Sequence, residues 1–186
     1  MNKILYSKLQ KSLTDGEPIE IYEDDDPELY RFGIVAALSS DLYIYVCMDD
    51  QGRVNGIRLR YTDSIWKITD KSKYIDTYKR ITETFDRGNG EQYRDFFRGR
   101  ECSIQLFFEY AVKSGRTVAL SIHGSEDFVI VGEVLSYDDE TLTIRELDIY
   151  GEERAVSCIN IPDITACSCD SEDSRIMSAL SGLSEK

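Results

Sequence analysis

The sequence predicts a mainly β protein with flanking helices: two tandem five-stranded small barrels related by internal duplication. Three observations predict it. A framework of glycines and apolar residues recurs at a constant offset of 99 positions, so that Gly132 answers Gly33, Val134 answers Val35, Asp148 answers Asp49, Gly151 answers Gly52, Ile164 answers Ile65 and Gly115 answers Gly16. Each copy holds five short runs rich in β-branched and aromatic residues, parted by Asp, Ser and Gly turns at close, even spacing, a pattern that favours a small barrel over an open sheet. Residues at helical spacing stand before and after each set of runs.

In the first copy Ile4, Leu5, Leu9 and Leu13 fall on one side of a helix, and Thr14-Asp15-Gly16 stops it. Ile19 and Ile21 alternate with polar neighbours as a first strand, and the acidic stretch Glu23 to Glu28, with Pro27 inside it, reads as a hairpin loop. Tyr30 to Leu38 is a second strand whose Gly33 marks a bend or bulge that lets a sheet curl. Leu42 to Met48, Val54 to Tyr61 and Ser64 to Ile68 complete the five. From Lys71 the period changes, and Tyr74, Ile75, Tyr78 and Ile81 predict a closing helix.

In the second copy Tyr93, Phe96, Phe97, Ile104, Phe107, Phe108 and Val112 form an aromatic-rich helical pattern with a kink near Gly99. Strands follow at about 116–122, 128–136, 141–147, 154–161 and 163–167, and Ile176, Leu180 and Leu183 make a last helical stripe. The expected organisation is a first unit over 1–82, a linker over 83–91 around Gly88-Asn89-Gly90, and a second unit over 92–186.

Composition narrows the function. No apolar run approaches the ~20 residues that span a bilayer, and the first residues carry no secretory pattern, so the expected location is the cytoplasm. Five cysteines, an odd number without framework spacing, are expected to be reduced and mostly buried. The net charge is −13, with 13 Lys and Arg against 16 Asp and Glu in residues 1–90 and 9 against 19 in residues 91–186. That balance opposes general binding to a phosphate backbone and favours a basic partner.

A helix followed by five short strands, with only a few residues between the fourth and fifth, resembles the Sm-like barrel of LSm and Hfq proteins. The stretch Gly132 to Ile144, with its turn at Asp139, follows the first motif of that family, and Gly33 to Tyr45 is the upstream copy. The resemblance implies two Sm-like or SH3-like barrels whose exposed strand edges pair either with each other inside the chain, as a pseudo-dimer, or between chains in a small ring. The family's base-contacting asparagine is replaced by Ile44 and Thr143, and its Arg-Gly before the last strand by Tyr61-Thr62 and Asn160-Ile161. An isoleucine cannot hydrogen-bond a base edge, so the resemblance speaks for the fold and against uridine-type RNA recognition.

No constellation of catalytic residues emerges, and no enzyme activity, cofactor or metal is expected. His123 is the single histidine and has no partner by spacing. Cys167-Ser168-Cys169 lacks the second pair that a zinc site needs. Asp24-Asp25-Asp26 and Asp138-Asp139-Glu140 lack the Asp-x-Asp-x-Asp-Gly order of a calcium loop. The best candidate surface for a partner is Arg53, Arg58, Arg60, Trp66 and Lys67, with Tyr43, Tyr45 and Tyr61 nearby, because arginine and aromatic side chains dominate interface energetics and also stack on bases. The expected function is a non-catalytic cytoplasmic interaction or regulatory module whose partner is another protein. The alternative is an RNA-binding Sm-like protein that uses the Arg58–Arg60 face.

Overall fold

The helical spacing at the start of the chain becomes α1 (Lys3–Asp15) in a computed structural model that describes residues 2–23, 30–49, 51–85, 88, 90–122 and 129–184. Asn2 Oδ1 accepts the amide of Ile4 at 2.8 Å, and Gly16, at φ +70°, returns its own N–H to the Ser12 carbonyl. Both ends are thereby capped, the second in the left-handed conformation that glycine adopts without steric cost. Leu5, Leu9 and Leu13 pack on Ile19, Ile21, Val35, Tyr43, Tyr45, Ile65 and Ile68. Full burial of a side chain such as Leu9 stabilises by about 1.5–3 kcal/mol. Ile4 is a correction to the expected stripe: it is 66% exposed and lies outside the cluster that Leu5, Leu9 and Leu13 join.

Five antiparallel strands follow, β1 (Ile19–Glu23), β2 (Tyr30–Leu38), β3 (Leu42–Met48), β4 (Val54–Tyr61) and β5 (Ile65–Thr69), in the spatial order β5-β1-β2-β3-β4. The fourth and fifth strands thus lie at opposite edges, so hydrogen bonding leaves the unit's sheet open where a barrel was expected. A 3₁₀ turn over Thr62–Ser64 is all that joins them. Five flat strands would set the two edges roughly 19 Å apart, whereas the four-residue step from Tyr61 to Ile65 reaches only about 14 Å. The sheet must therefore curl. Gly33 permits the close approach inside it: a Cβ there would lie 2.1 Å from the Val46 carbonyl oxygen. The bulge comes two residues later, between Val35 and Ala37, and the buried Ser12 hydroxyl accepts the Val35 amide at 3.1 Å.

Two further helices cover the opposite face. Ser72 caps α2 (Lys73–Thr84) by accepting the Ile75 amide, and Ile75 and Tyr78 pack on Phe32, Ile34 and Met48. Helix α3 (Glu91–Phe97) starts from Gly90 at φ +74°, packs against β2 and buries Tyr93 and Phe97. Its Arg94 donates to the Leu13 carbonyl at 3.4 Å, a cation at the C-terminal end of α1. The first compact unit consequently runs from Met1 to Ser103 and the second from Ile104 to Lys186, and the residues read as a linker, 83–91, fall inside the first. The aromatic pattern expected as one kinked helix is two helices, one in each unit, broken at Gly99 with φ +72°.

The second unit comprises α4 (Ile104–Ser114), β6 (Val118–Ile122), β7 (Val129–Tyr137), β8 (Thr141–Leu147), β9 (Glu153–Asn160), a 3₁₀ turn over Ile161–Asp163, β10 (Ile164–Cys169) and α5 (Glu172–Ser184). Its strands stand in the order β10-β6-β7-β8-β9, the same order as in the first unit. The register repeats at the 99-residue offset: Gly33↔Cys47 and Gly132↔Glu146, Val35↔Tyr45 and Val134↔Ile144, Leu42↔Tyr61 and Thr141↔Asn160. The turns repeat as well, with Gly52 N–H bonded to the Asp49 carbonyl and Gly151 N–H to that of Asp148. Gly132 has the same steric reason as Gly33, a Cβ there lying 2.1 Å from the Arg145 carbonyl oxygen. Among the described residues no helix is long and apolar enough to cross a membrane.

Candidate functional site

The five residues singled out for a partner separate into three places. Arg53 belongs to the β3–β4 turn, where its Nε meets Asp49 Oδ2 at 2.7 Å while Asp49 Oδ1 accepts the amides of Gln51 and Arg53. Arg58 and Arg60 lie on β4 opposite Tyr45 and Tyr43, and both turn toward the face that α1 covers. Trp66 and Lys67 are on β5, at the other edge of the unit's sheet, and both are exposed.

On the α1-covered face Glu23 is the centre of a buried polar cluster. Its carboxylate is only 1% exposed, yet it receives Arg31 Nε at 2.5 Å, Arg60 Nη2 at 3.0 Å and the Tyr43 hydroxyl. Burial first, and the Glu23 charge next, push the Tyr43 phenol well above its ordinary value, so it stays a neutral donor. Beside this group Tyr45 Oη and Arg58 Nε are buried without a hydrogen-bond partner. Removing ions from water costs several kcal/mol each, repaid only by close and complete pairing. The second unit dispenses with the cluster: at the offset of 99, Glu23, Arg31, Tyr43 and Arg60 become Ile122, Ile130, Leu142 and Ile159.

The edge at β5 carries a strip of exposed and half-exposed rings. Between Ile65 and Lys67 the register with β1 slips by one residue, so that Glu23 faces Ile65, Tyr22 faces Lys67 and Trp66 is the extra residue of a bulge. A bulge re-aims side chains, and here it turns both Trp66 and Lys67 outward. Trp66 meets the Tyr22 ring edge-on at 5.6 Å, Tyr22 lies 5.8 Å from Tyr30, and Tyr30 meets Tyr74 at 5.2 Å. Lys67 Nζ is 4.0 Å from the Tyr22 ring centroid. Trp66 is 47% and Tyr30 38% exposed. The second unit repeats the bulge, between Ile164 and Ala166, with no ring on it. Tyr22, Tyr30, Trp66 and Lys67 become Ser121, Val129, Thr165 and Ala166.

No family model, curated protein or solved structure matches the chain. The two units are thus each other's comparison, and the aromatic strip and the Glu23 cluster are what one has and the other lacks.

The remaining candidates have other roles. A groove of about 630 Å³ between α1 and α2 is bridged by Lys8–Asp70 at 2.6 Å and by Lys79 on Glu17, so its charges largely answer one another. Cys47, Cys102, Cys167 and Cys169 are buried and Cys158 is exposed. Burial pushes the Cys102 and Cys169 thiols up to about 12, far from the reactive thiolate. Among the described residues no three His, Cys, Asp or Glu side chains form a group able to hold a metal ion. Asp138 is a turn cap whose carboxylate accepts the amides of Glu140 and Thr141. His123, Asp24-Asp25-Asp26 and Asn89 lie outside the described residues. Sequence reasoning missed Tyr22 as the neighbour of Trp66, Tyr30 and Tyr74 as the continuation of that row, and Glu23 as the partner of Arg60. Aligning the two units position by position would have flagged three of those four, because the residues at the offset of 99 are Ser121, Val129 and Ile122.

Proposed function

We propose that the chain is a non-catalytic interaction module built from two Sm-like units, and that the β5–β1–β2 face of the first unit is its partner-contact surface. The supporting order of elements is a helix, five antiparallel strands and a three-residue turn before the fifth, repeated once. The observation that carries the reading is the strip of exposed Trp66, Tyr30 and Lys67 around the half-buried Tyr22, on a scaffold whose second copy makes the same bulge with Thr165 and Ala166. Rings that the fold does not need, left half in water, are anchors for a partner. The partner is a protein. Of the five candidate residues, Trp66 and Lys67 contact it, whereas Arg60 serves Glu23 and Arg53 serves the Asp49 turn.

The test is capture from the native cell by immobilised protein, comparing the natural chain with a Trp66→Ala/Tyr30→Ala double variant. Both positions are exposed, so the variant keeps its fold, checked by circular dichroism. The expected result is a partner retained by the natural chain and lost by the variant. An identical set of captured proteins overturns the reading.

A further inference from the structure

We infer that the strip receives a lysine or arginine side chain from an extended, basic segment of the partner protein, in the place where Lys67 now lies. The inference rests on the reading of the strip as the contact surface and adds the chemistry of what is bound there.

The chain's own Lys67 displays the interaction. Its ammonium stands 4.0 Å from the Tyr22 centroid and 6.0 Å from that of Trp66, inside the range over which a ring face attracts a cation. Among the described residues no carboxylate pairs with it, so the ring faces are its recorded partners. Tyr22, Trp66 and Tyr30 form a continuous row with centroid spacings of 5.6 and 5.8 Å, and the exposure of Trp66 and Tyr30 leaves ring surface in water on either side of the lysine. The row is a receptor for a cation that is filled from within, by an exposed side chain free to swing away.

Charge selects among ligands that such rings can bind. A base could stack on Trp66, but a nucleic acid brings a phosphate per nucleotide toward residues 1–90, where 13 Lys and Arg stand against 16 Asp and Glu in a chain of net charge −13, with one lysine at the strip to meet it. A basic segment is drawn by the same field. Geometry selects an extended one. Among the described residues β5 pairs with β1 alone, which leaves the backbone N–H and C=O groups of its outer edge open beside Trp66 and Lys67. A segment laid along that edge can bond to the backbone while every second side chain meets the ring row.

The test uses the fluorescence of Trp66, the single tryptophan of the chain. The full chain is titrated with a synthetic peptide of alternating Lys and Val, with its Glu–Val counterpart and with a single-stranded RNA oligonucleotide. The inference expects a saturable spectral shift with the Lys–Val peptide alone, together with slowed amide exchange over β5. It also expects an inverted effect of charge removal. Lys67→Gln, which vacates the rings, binds the Lys–Val peptide about two- to fivefold tighter, and Tyr22→Ala weakens it.

Absence of a response to the Lys–Val peptide, or a Lys67→Gln affinity unchanged or reduced, overturns the inference. Binding of the Glu–Val peptide or the RNA, weakened by Lys67→Gln, overturns it in favour of an anionic partner. In each of these cases the capture comparison with the Trp66→Ala/Tyr30→Ala variant decides separately whether the strip is a contact surface at all.

Discussion

The first and second units share strand order, register, bulges and turns, yet they spend their side chains in opposite ways. In the first, the face under α2 and α3 is apolar, with Ile34, Val46 and Ile57 all buried. The same positions in the second are Glu133, Arg145 and Val156, where Arg145 bridges Glu133 at 2.9 Å and Glu153 at 3.3 Å and Val156 is 56% exposed. On the other face the relation reverses, since the first unit buries Glu23, Arg31 and Arg60 where the second has three isoleucines. One backbone thus accepts a charged or an apolar interior, and a covered or a wetted exterior. The lesson is that the glycines and turns hold this fold, while the residues that differ answer to something else: a helix to be seated, or a partner to be met.

The sharpest way to break the comparison is at the buried cluster. Glu23→Ala leaves the Arg31 and Arg60 guanidinium groups without that carboxylate and is expected to cost about 3–5 kcal/mol in urea unfolding. Importing the second unit's solution, Glu23→Ile/Arg31→Ile/Tyr43→Leu/Arg60→Ile, is expected to recover most of that loss. If the fourfold variant is as unstable as Glu23→Ala, the cluster is required by the fold and the two interiors are not interchangeable.

Next in size are the shared glycines. Gly33→Ala and Gly132→Ala each force a Cβ against a carbonyl oxygen and are expected to destabilise by at least the ~1–3 kcal/mol typical of overpacking, to similar extents. A large difference between them would show that the close strand approach matters in one unit only.

Thiol reactivity separates the units without altering stability. Under native conditions one equivalent of a thiol reagent is expected to react, at Cys158, and none after Cys158→Ser, because the counterpart of Cys158 is the buried Leu59 and the other four thiols are buried. Fast reaction of a second thiol would contradict that burial.

The smallest expected effect is acid sensitivity. The hydrogen bond from Lys8 holds Asp70 below its ordinary range, and in the second unit the amides of Glu140 and Thr141 do the same for Asp138. A carboxyl with a lowered folded pKa contributes stability that is complete above its unfolded value near ~3.9 and is lost as pH falls through the folded value. Unfolding midpoints are therefore expected to drop below about pH 4, and to drop less in Asp70→Asn. An identical acid limb in that variant would remove Asp70 from the account.

Much of this was legible in the residues alone. Gly33 and Gly132, the Asp49 and Asp148 turns and the alternation within β1 to β10 foretold strand positions to within a residue or two, because backbone sterics and side-chain periodicity are local properties. Trp66 and Lys67 could be named as surface candidates for the same reason. Their neighbours could not. Tyr22, with Tyr30 behind it, comes beside Trp66 only because β5 pairs with β1 across a bulge, and Arg60 turns out to serve Glu23, 37 positions earlier, because the sheet curls. The assignment of α3 to the first unit is of the same kind, since Tyr93 and Phe97 are apolar enough to seal either unit and the packing against β2 selects one. Local chemistry wrote the elements and their turns. Pairing between distant strands, which no spacing along the chain encodes, chose which side chains would meet.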